Sequence, residues 1–199
     1  MSTWLKKGKE TKLVIVGLEQ SFGHYHGVSL KLGLNLLKLK QSGQVIFYEG
    51  LKQIPSLLEQ NLEELQLVKR LYEDIAKLVT DNCLIVIDQV SILSVLGLST
   101  RSIYILCHYL TLLVNNLVNC QVIFRLYQSN DGDGGQLVHL VSRCGSLNVS
   151  VHGLETGLSK DVSGVMDIVV PGQDRRTLQF KILDKDVKVF ALGTCTAVL

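Results

Sequence analysis

Leu84-Ile-Val-Ile-Asp88 places a carboxylate directly after four apolar residues. At the tip of a central strand, such an aspartate helps to hold Mg²⁺ beside the phosphates in phosphate-loop nucleoside triphosphatases. Many α/β strands also end in aspartate for a structural reason, because the side chain caps the following turn. The partner motif would be G-x-x-x-x-G-K-[ST], whose backbone amides cradle phosphate and whose lysine neutralises it. No segment of the sequence matches this motif, so Asp88 lacks a nucleotide partner within its own chain.

The glycine-rich segment 130–135, Asn-Asp-Gly-Asp-Gly-Gly, suggests two kinds of ligand site. A calcium loop would need a bidentate glutamate at its twelfth position, and none stands there. A phosphate cradle would need a lysine followed by a hydroxyl residue, and both are missing. We therefore expect a mobile surface loop, at a place where α/β folds present binding surfaces.

The histidines do not complete a site. His24 and His26 flank Tyr25 in a predicted loop after the first strand, and an H-x-H pair can bind a metal. No nearby cysteine or carboxylate pair completes a ligand set, so packing or a partner contact is the preferred interpretation. His108 lies within an apolar helical segment, which predicts a hydrogen-bonded core histidine. No G-x-S-x-G motif supports a Ser-His-Asp triad. The sequence therefore predicts no catalytic residue, metal or cofactor within this chain.

Composition indicates a globular protein with a buried core. The chain has 199 residues, of which 47% are hydrophobic and 19% charged, a composition that argues against extended disorder. This length predicts a single domain over residues 1–199. A net charge of +2 neither requires nor excludes nucleic acid. RNA binding would need a local basic patch, or one shared with neighbouring chains.

The cysteines indicate the compartment. None of their spacings is that of a zinc site, and their number is odd. We expect reduced thiols and a cytosolic or nuclear location. The residues concerned are Cys83, Cys107, Cys120, Cys144 and Cys195.

Short apolar runs alternate with helical patterns along the first two thirds of the chain. The runs are rich in β-branched residues, as is typical of strands buried on both faces of a parallel sheet. They span residues 13–18, 45–48, 84–87 and 122–126. Helices are predicted at 56–79, with Ser56 as the cap after Pro55, and at 100–117, where the pattern is apolar nearly all round. The alternation predicts an α/β fold, with a mainly parallel sheet flanked by helices.

The pattern changes after residue 135. A short helix at 136–143 is followed by predicted strands at 147–151, 165–170, 178–183 and 187–192. Apolar and polar residues mostly alternate in the last two strands, and Asp184-Lys-Asp186 between them predicts a tight turn. We therefore expect an antiparallel C-terminal hairpin that completes the sheet.

Several blocks of the sequence resemble the Elongator complex protein six family. They are QSFGHY at 20–25, GQVIFYEGLK at 43–52, IVIDQVSILSVLG at 85–97, GLETGLSKDVSG at 153–164 and FKILDKDVKVFA at 180–191. The blocks keep the family's order and cover about residues 12–199.

This resemblance implies a RecA-like P-loop NTPase fold without a working Walker A motif, with Asp88 at a degenerate Walker B position. It implies a non-catalytic subunit that forms a hetero-hexameric ring with Elongator subunits four and five. The ring would bind tRNA, serve the larger complex that modifies the wobble uridine (U34), and carry any ATPase activity itself. No membrane partner and no cofactor is expected.

The family pattern begins with a further strand, a degenerate phosphate-loop segment and a helix. Residues 1–7 here resemble the end of that helix, so the chain is expected to be N-terminally incomplete relative to the family. Losing an inner strand would leave two neighbouring strands with unpaired backbone groups, at about 1–3 kcal/mol for each buried group. We therefore expect a truncated sequence, and the alternative is that the neighbouring strands close over the gap.

Basic residues near predicted loops are the RNA-facing candidates: Arg125, Lys160, Arg175 and Arg176. Two alternatives to the ring subunit stay open at the level of sequence. One is an active RecA-family ATPase that uses Asp88, and the other is a RecA-like adaptor of a different assembly.

Overall fold

A computed structural model describes residues 2–5, 8, 10–60, 62–127, 132–155, 157 and 159–194. The chain forms two compact units. The first comprises Met1–Leu30 and Leu34–Cys144, and the second comprises Lys31–Gly33 and Gly145–Leu199. A single domain over 1–199 stays a prediction.

The first unit is built on a parallel sheet of β1 (Lys12–Gly17), β2 (Val45–Tyr48), β3 (Cys83–Asp88) and β4 (Gln121–Phe124). The strand order is β2-β1-β3-β4. In the register of β1 with β3, Gly17 lies beside Asp88. The four predicted parallel strands are confirmed, with bounds that differ by at most two residues at either end. Their carboxyl ends meet at one edge of the sheet, because the strands run in the same direction.

Both faces of this sheet are covered, which explains why its strands are continuously apolar. Val14 and Ile85 are fully buried in one core cluster, while Leu13 and Ile15 are fully buried in another. The helices that precede residue 145 are α1 (Ser2–Leu5), α2 (Phe22–Lys31), α3 (Leu36–Gln41), α4 (Gly50–Leu58), α5 (Glu64–Ala76), α6 (Ile92–Val95), α7 (Thr100–Asn115) and α8 (Gly132–Ser142). Helix α8 corresponds to the short helix predicted at 136–143.

The single helix predicted at 56–79 is wrong, because two helices cover this stretch. Pro55 lies inside α4, and the Ser56 hydroxyl donates to the Gln53 carbonyl oxygen at 2.8 Å instead of capping a helix start. The backbone amide of Glu59 donates to the carbonyls of Pro55 and Leu57 and closes α4 before α5 begins. The apolar periodicity continues across this break, so periodicity alone did not reveal it.

Helix α7 confirms the segment predicted at 100–117 but is not buried all round. Ile103 and Leu110 are fully buried, whereas Tyr109 is 52% exposed. The prediction of His108 as a core histidine is wrong, since this residue is exposed and its ring stacks on Tyr104 with centroids 5.8 Å apart. Within the described residues, no helix combines the length and the apolar character that crossing a membrane requires.

The second unit is an antiparallel sheet. Its strands are β5 (Asn148–His152), β6 (Gly164–Val169), β7 (Arg176–Ile182) and β8 (Val187–Ala191), and they are hydrogen-bonded in sequence order. The predicted hairpin of β7 and β8 is confirmed, with the Leu183 amide donating to the Asp186 carbonyl oxygen at 2.8 Å. The expectation that this hairpin completes the parallel sheet is wrong. The connections between these strands are shorter than a parallel crossover requires, so consecutive strands pair antiparallel. Within the described residues, none of the four pairs with a strand of the parallel sheet.

Candidate functional site at the carboxyl ends of the parallel strands

Asp88 is the last residue of β3 and is 6% exposed. Arg125 follows β4, and its backbone donates to the Ile87 carbonyl oxygen at 3.0 Å and accepts from the Val90 amide at 2.8 Å. The chain before and after Asp88 is thus fixed to the end of the neighbouring strand. This edge is where open α/β sheets place their ligand sites.

Both carboxylate oxygens of Asp88 are engaged by side chains of the same chain. Arg125 Nε lies 2.9 Å from Asp88 Oδ1, and the Tyr25 hydroxyl donates to Asp88 Oδ2. Arg125 also bonds Glu19, with 2.6 Å between Nη2 and Oε2. The site is therefore a closed network of two carboxylates, one guanidinium and one phenol.

Tyr25 reaches Asp88 from helix α2, which follows β1 directly. Its ring packs on Phe47 of β2 with centroids 5.7 Å apart, and Phe22 packs on Phe47 at 5.4 Å. Partial burial raises the pKa of the Tyr25 phenol, and the hydrogen bond to the negatively charged Asp88 raises it further. The phenol is therefore held as a proton donor.

The loop predicted for His24 and His26 is wrong, since both residues lie within α2. His26 stacks on Phe22 with centroids 6.0 Å apart, and His24 meets the Tyr25 ring edge-on at 5.9 Å. Across the described residues, no group of three or more potential metal ligands is found. Aromatic packing is what the structure shows for this pair.

Gln89 continues the site with an unusual backbone. Its φ is 61°, in the left-handed region that costs energy for residues other than glycine. The residue is buried, and its side-chain oxygen has no hydrogen-bond partner within the described part of the chain. Strained, buried residues of this kind concentrate at functional sites.

This arrangement is poorly suited to metal-assisted phosphate chemistry. A Mg²⁺ ion on Asp88 would have to displace either Arg125 or Tyr25, each of which already occupies one carboxylate oxygen. The cation nearest to the carboxylate is a guanidinium, which repels a second positive charge. Asp88 here holds secondary structure elements together.

The four RNA-facing candidates are not equivalent. Arg125 is engaged by Asp88 and Glu19, and Arg175 forms an ion pair with Asp167. Lys160 and Arg176 are exposed, and neither makes an ion pair within the residues described. Arg125 belongs to the first unit and the other three to the second.

Asp167 is the centre of a second polar cluster, which the sequence did not reveal. It is 4% exposed in the middle of β6, and it accepts hydrogen bonds from Arg175 and from the Thr177 hydroxyl, the latter at 2.6 Å. His152 Nε2 lies 3.1 Å from the same carboxylate. These bonds hold the pKa of Asp167 well below its usual range, and the bond to Asp167 raises the pKa of His152. The available signal was a lone acid within an otherwise apolar strand.

Sequence reasoning also missed Glu19 and the role of Tyr25. Glu19 follows β1, so the rule that parallel strands share one carboxyl edge could have placed it near Asp88. Tyr25 is 63 positions from Asp88, and no local pattern links the two residues. The surface loop predicted for the glycine-rich segment 130–135 is wrong for residues 132–135, which form the start of α8, and residues 130 and 131 lie outside the described residues.

The cysteines that the structure describes are Cys83, Cys107, Cys120 and Cys144, and all four are free thiols. Burial raises the pKa of the Cys107 thiol. Cys195 lies outside the described residues.

Comparison with solved structures defines the class of fold. A KaiC-like protein from the hyperthermophilic archaeon Pyrococcus horikoshii OT3 matches with a TM-score of 0.59 and 12% sequence identity. The match covers 92% of this chain and 80% of that chain. The class is a RecA-like α/β fold, in agreement with the parallel sheet and its aspartate-terminated strand.

Comparison with protein families is more specific. The model of the family Elongation complex protein 6 matches residues 1–186. Elongator complex protein 6 of Danio rerio is 31% identical over 229 aligned positions, covering 100% of this chain and 86% of that protein. The Homo sapiens protein of the same name is 29% identical over 219 positions, covering 94% of this chain and 82% of that protein. The chain belongs to the Elongation complex protein 6 family.

Proposed function

We propose that this chain is a non-catalytic structural and regulatory subunit of the Elongator complex. In this proposal it forms a hetero-hexameric RecA-like ring with subunits four and five, in the cytosol or nucleus. The ring binds tRNA and supports modification of the wobble uridine. Family membership and the RecA-like fold support the proposal.

The observation that carries the non-catalytic part is the engagement of Asp88. An active RecA-like ATPase keeps this carboxylate available for Mg²⁺ and supplies a phosphate loop. Here Tyr25 and Arg125 occupy both carboxylate oxygens of Asp88. Any ATP hydrolysis is therefore assigned to the assembled ring.

The charge distribution supports a shared RNA surface. The net charge of the chain is +2. Two of the four RNA-facing candidates, Arg125 and Arg175, form ion pairs with carboxylates of the same chain. Among the candidates, Lys160 and Arg176 are exposed and make no ion pair within the described residues, so both keep the charge that a phosphate contact needs. Because two such contacts are weak, tRNA affinity is expected to arise from several subunits together.

The test compares the purified chain with a ring reconstituted from this chain and subunits four and five. Binding of tRNA and release of phosphate from ATP are measured for both samples at two salt concentrations. We expect tight, salt-sensitive tRNA binding by the ring and at least tenfold weaker binding by the lone chain. ATP turnover by the lone chain, abolished by Asp88→Asn, would instead establish the active ATPase. Failure to co-purify with subunits four and five would contradict ring membership.

A further inference from the structure

Two cysteines lie side by side where β3 and β4 begin. Leu84 of β3 is in register with Gln121 of β4, and extending this register by one residue places Cys83 beside Cys120. Neighbouring strands lie about 4.8 Å apart, and disulfides join residues whose Cα atoms are between about 4.4 and 6.8 Å apart. The backbone spacing of this pair therefore suits a disulfide, while both residues are free thiols in the structure.

Hydrogen bonds hold together the turns that precede the two cysteines. The Asn82 amide donates to the Val118 carbonyl oxygen at 2.9 Å, and the Asn119 side chain donates to Oδ1 of Asn82 at 3.1 Å. Asn82 and Asn119 share a left-handed backbone conformation, with φ of 58° and 53°. Because matching residues lead into the two strands, the register extends back to Cys83 and Cys120.

Both sulfur atoms contact the same residue. Cys120 Sγ donates to the Thr80 carbonyl oxygen at 3.2 Å, and a hydrogen bond from the Thr80 backbone reaches the Cys83 thiol. Burial raises the pKa of Cys83, and the neighbouring Cys120 raises it further. The two side chains therefore lie close together on one side of the sheet, as a disulfide requires.

The two thiols differ in their surroundings. Cys83 is fully buried in a core cluster. Cys120 is only partly buried and lines a cavity of about 500 Å³ together with polar residues such as Asn119 and Gln121. The described residues that line this cavity all belong to the first unit. A small polar oxidant in the cavity therefore meets Cys120 before Cys83.

We propose that Cys83 and Cys120 form a reversible oxidation site, which a peroxide converts to a disulfide. In the first step the Cys120 thiolate attacks a peroxide oxygen, the O–O bond breaks, and Cys120 becomes a sulfenic acid as hydroxide leaves. In the second step the Cys83 thiolate attacks the Cys120 sulfur and displaces its hydroxyl group as hydroxide. Each hydroxide takes up one thiol proton. Two thiols are thus oxidised to one disulfide, and hydrogen peroxide is reduced to two molecules of water.

A role in packing alone accounts for Cys83 but not for the pair. A buried thiol usually behaves as a small hydrophobe, and this describes Cys83 within the core. Cys120 instead places its sulfur at a polar cavity and beside a second thiol. Disulfides in reducing compartments are usually transient, which agrees with a pair that is reduced at rest and reversibly oxidised.

Cys107 and Cys144 are the rival pair in the first unit. Burial raises the pKa of both thiols, and each raises the resistance of its site to oxidation because the thiolate is the reactive form. Cys107 lies in α7 and Cys144 follows α8, so no strand register aligns them. Neither is among the described residues that line the cavity. Cys144 therefore serves as the control thiol.

The test exposes the reduced full chain to hydrogen peroxide under native conditions. Remaining thiols are alkylated with N-ethylmaleimide, and disulfides are mapped by mass spectrometry after digestion without reductant. Chymotrypsin is used, because no lysine or arginine separates Cys107 from Cys120. We expect a link between Cys83 and Cys120 that dithiothreitol reverses, with roughly tenfold less alkylation of both residues. Alkylation of Cys144 should stay within about twofold of the untreated sample.

Substitutions test the order of the two steps. Cys83→Ser removes the second thiol, so Cys120 should accumulate as a sulfenic acid that dimedone traps. Cys120→Ser should leave Cys83 reduced, because the thiol that meets the oxidant is gone. Cys144→Ser is the matched control and should form the same disulfide as wild type. Circular dichroism checks the folding of each variant.

The mapping on the wild-type chain decides the inference even if a variant fails to fold. Oxidation of Cys120 to a sulfinic acid while Cys83 stays alkylated would overturn it. A disulfide between Cys107 and Cys144, or from Cys120 to any thiol other than Cys83, would also overturn it. None of these outcomes bears on ring membership, since the experiment contains this chain alone.

Discussion

The Tyr25 hydroxyl donates a hydrogen bond to Oδ2 of Asp88, while Arg125 Nε lies 2.9 Å from Oδ1. Three segments, after β1, at the end of β3 and after β4, thus converge on one buried carboxylate. In a nucleotide-hydrolysing relative of the same fold class, this position would serve a metal. In this chain Tyr25 and Arg125 bind its two oxygens, and the effect of these contacts on stability is measurable.

Replacing Asp88 by alanine should destabilise the first unit. Tyr25 and Arg125 lose their shared acceptor, and leaving a partly buried hydroxyl without a partner costs about 1 kcal/mol. We expect a loss of this size in the free energy of unfolding, measured by urea denaturation. Glu73→Gln is the control, because it removes an exposed pair with Lys69 at 4.0 Å and should cost less than about 0.5 kcal/mol. Equal effects of the two changes would contradict a structural role for Asp88.

Tyr25→Phe should remove one hydrogen bond and leave the aromatic packing on Phe47. The expected cost is about 1 kcal/mol. Combined with Asp88→Asn in a double-mutant cycle, it should give a coupling energy of about 0.5–3 kcal/mol. Additive effects would show that the contact contributes nothing. Ultraviolet titration gives a second readout, since the raised pKa values of Tyr25 and Tyr48 make both phenols ionise late, and Tyr25→Phe should reduce this late component by one tyrosine.

The polar cluster of the second unit should give it a stability maximum in mildly acidic solution. The pKa of His152 is raised above 6.5, so its contribution is complete below pH 6.5 and is lost as the pH rises through the folded-state pKa. The pKa of Asp167 is lowered from 3.8, so its contribution is present above pH 3.8 and is lost as the pH falls through the folded-state pKa. Both contributions coexist between these limits.

Thermal melting across this pH range checks the expectation. His152→Gln should flatten the alkaline side of the profile and leave the acidic side in place. Asp167→Asn should lower the melting temperature throughout and remove both slopes. A profile of His152→Gln that follows wild type on the alkaline side would show that the imidazole does not contribute.

Two glycines of the first unit should respond to alanine in opposite directions. A Cβ on Gly17 would lie 2.5 Å from Phe47 Cζ and 2.9 Å from the Gln20 carbonyl oxygen. Gly17→Ala therefore forces the backbone at the end of β1 away from Phe47 and Gln20. We expect a loss of about 1–3 kcal/mol. Gly27 lies in α2 with open space around it, and Gly27→Ala should stabilise by about 0.4–1 kcal/mol. Chemical denaturation of both variants measures the difference.

Much of the fold follows from local patterns. The strand predicted at 45–48 has these bounds in the structure, because a short β-branched run between polar segments has few alternatives. Helix α4 was missed because Pro55 was read as a boundary, although the helix accommodates it. The second sheet was missed because periodicity identifies strands but not the strands with which they pair.

The site was only partly predictable. Asp88 stood out because a carboxylate directly follows an apolar strand. Its partners are Tyr25, which lies 63 residues earlier, and Arg125, which follows β4. Their contacts with Asp88 depend on the tertiary fold. The exposure of His108 likewise depends on which side of α7 packs against the sheet. A helix that is apolar nearly all round does not reveal that side from its sequence.

The ion pairs of Arg125 with Asp88 and Glu19 determine which ligands the folding of this chain requires. In a metal-dependent nucleotidase, ligand binding adds to the stability of the native state, so folding depends on cellular nucleotide and Mg²⁺. Here the balancing positive charge is part of the polypeptide and is present from the moment of synthesis. We therefore expect this chain to fold independently of the cellular concentrations of nucleotide and Mg²⁺.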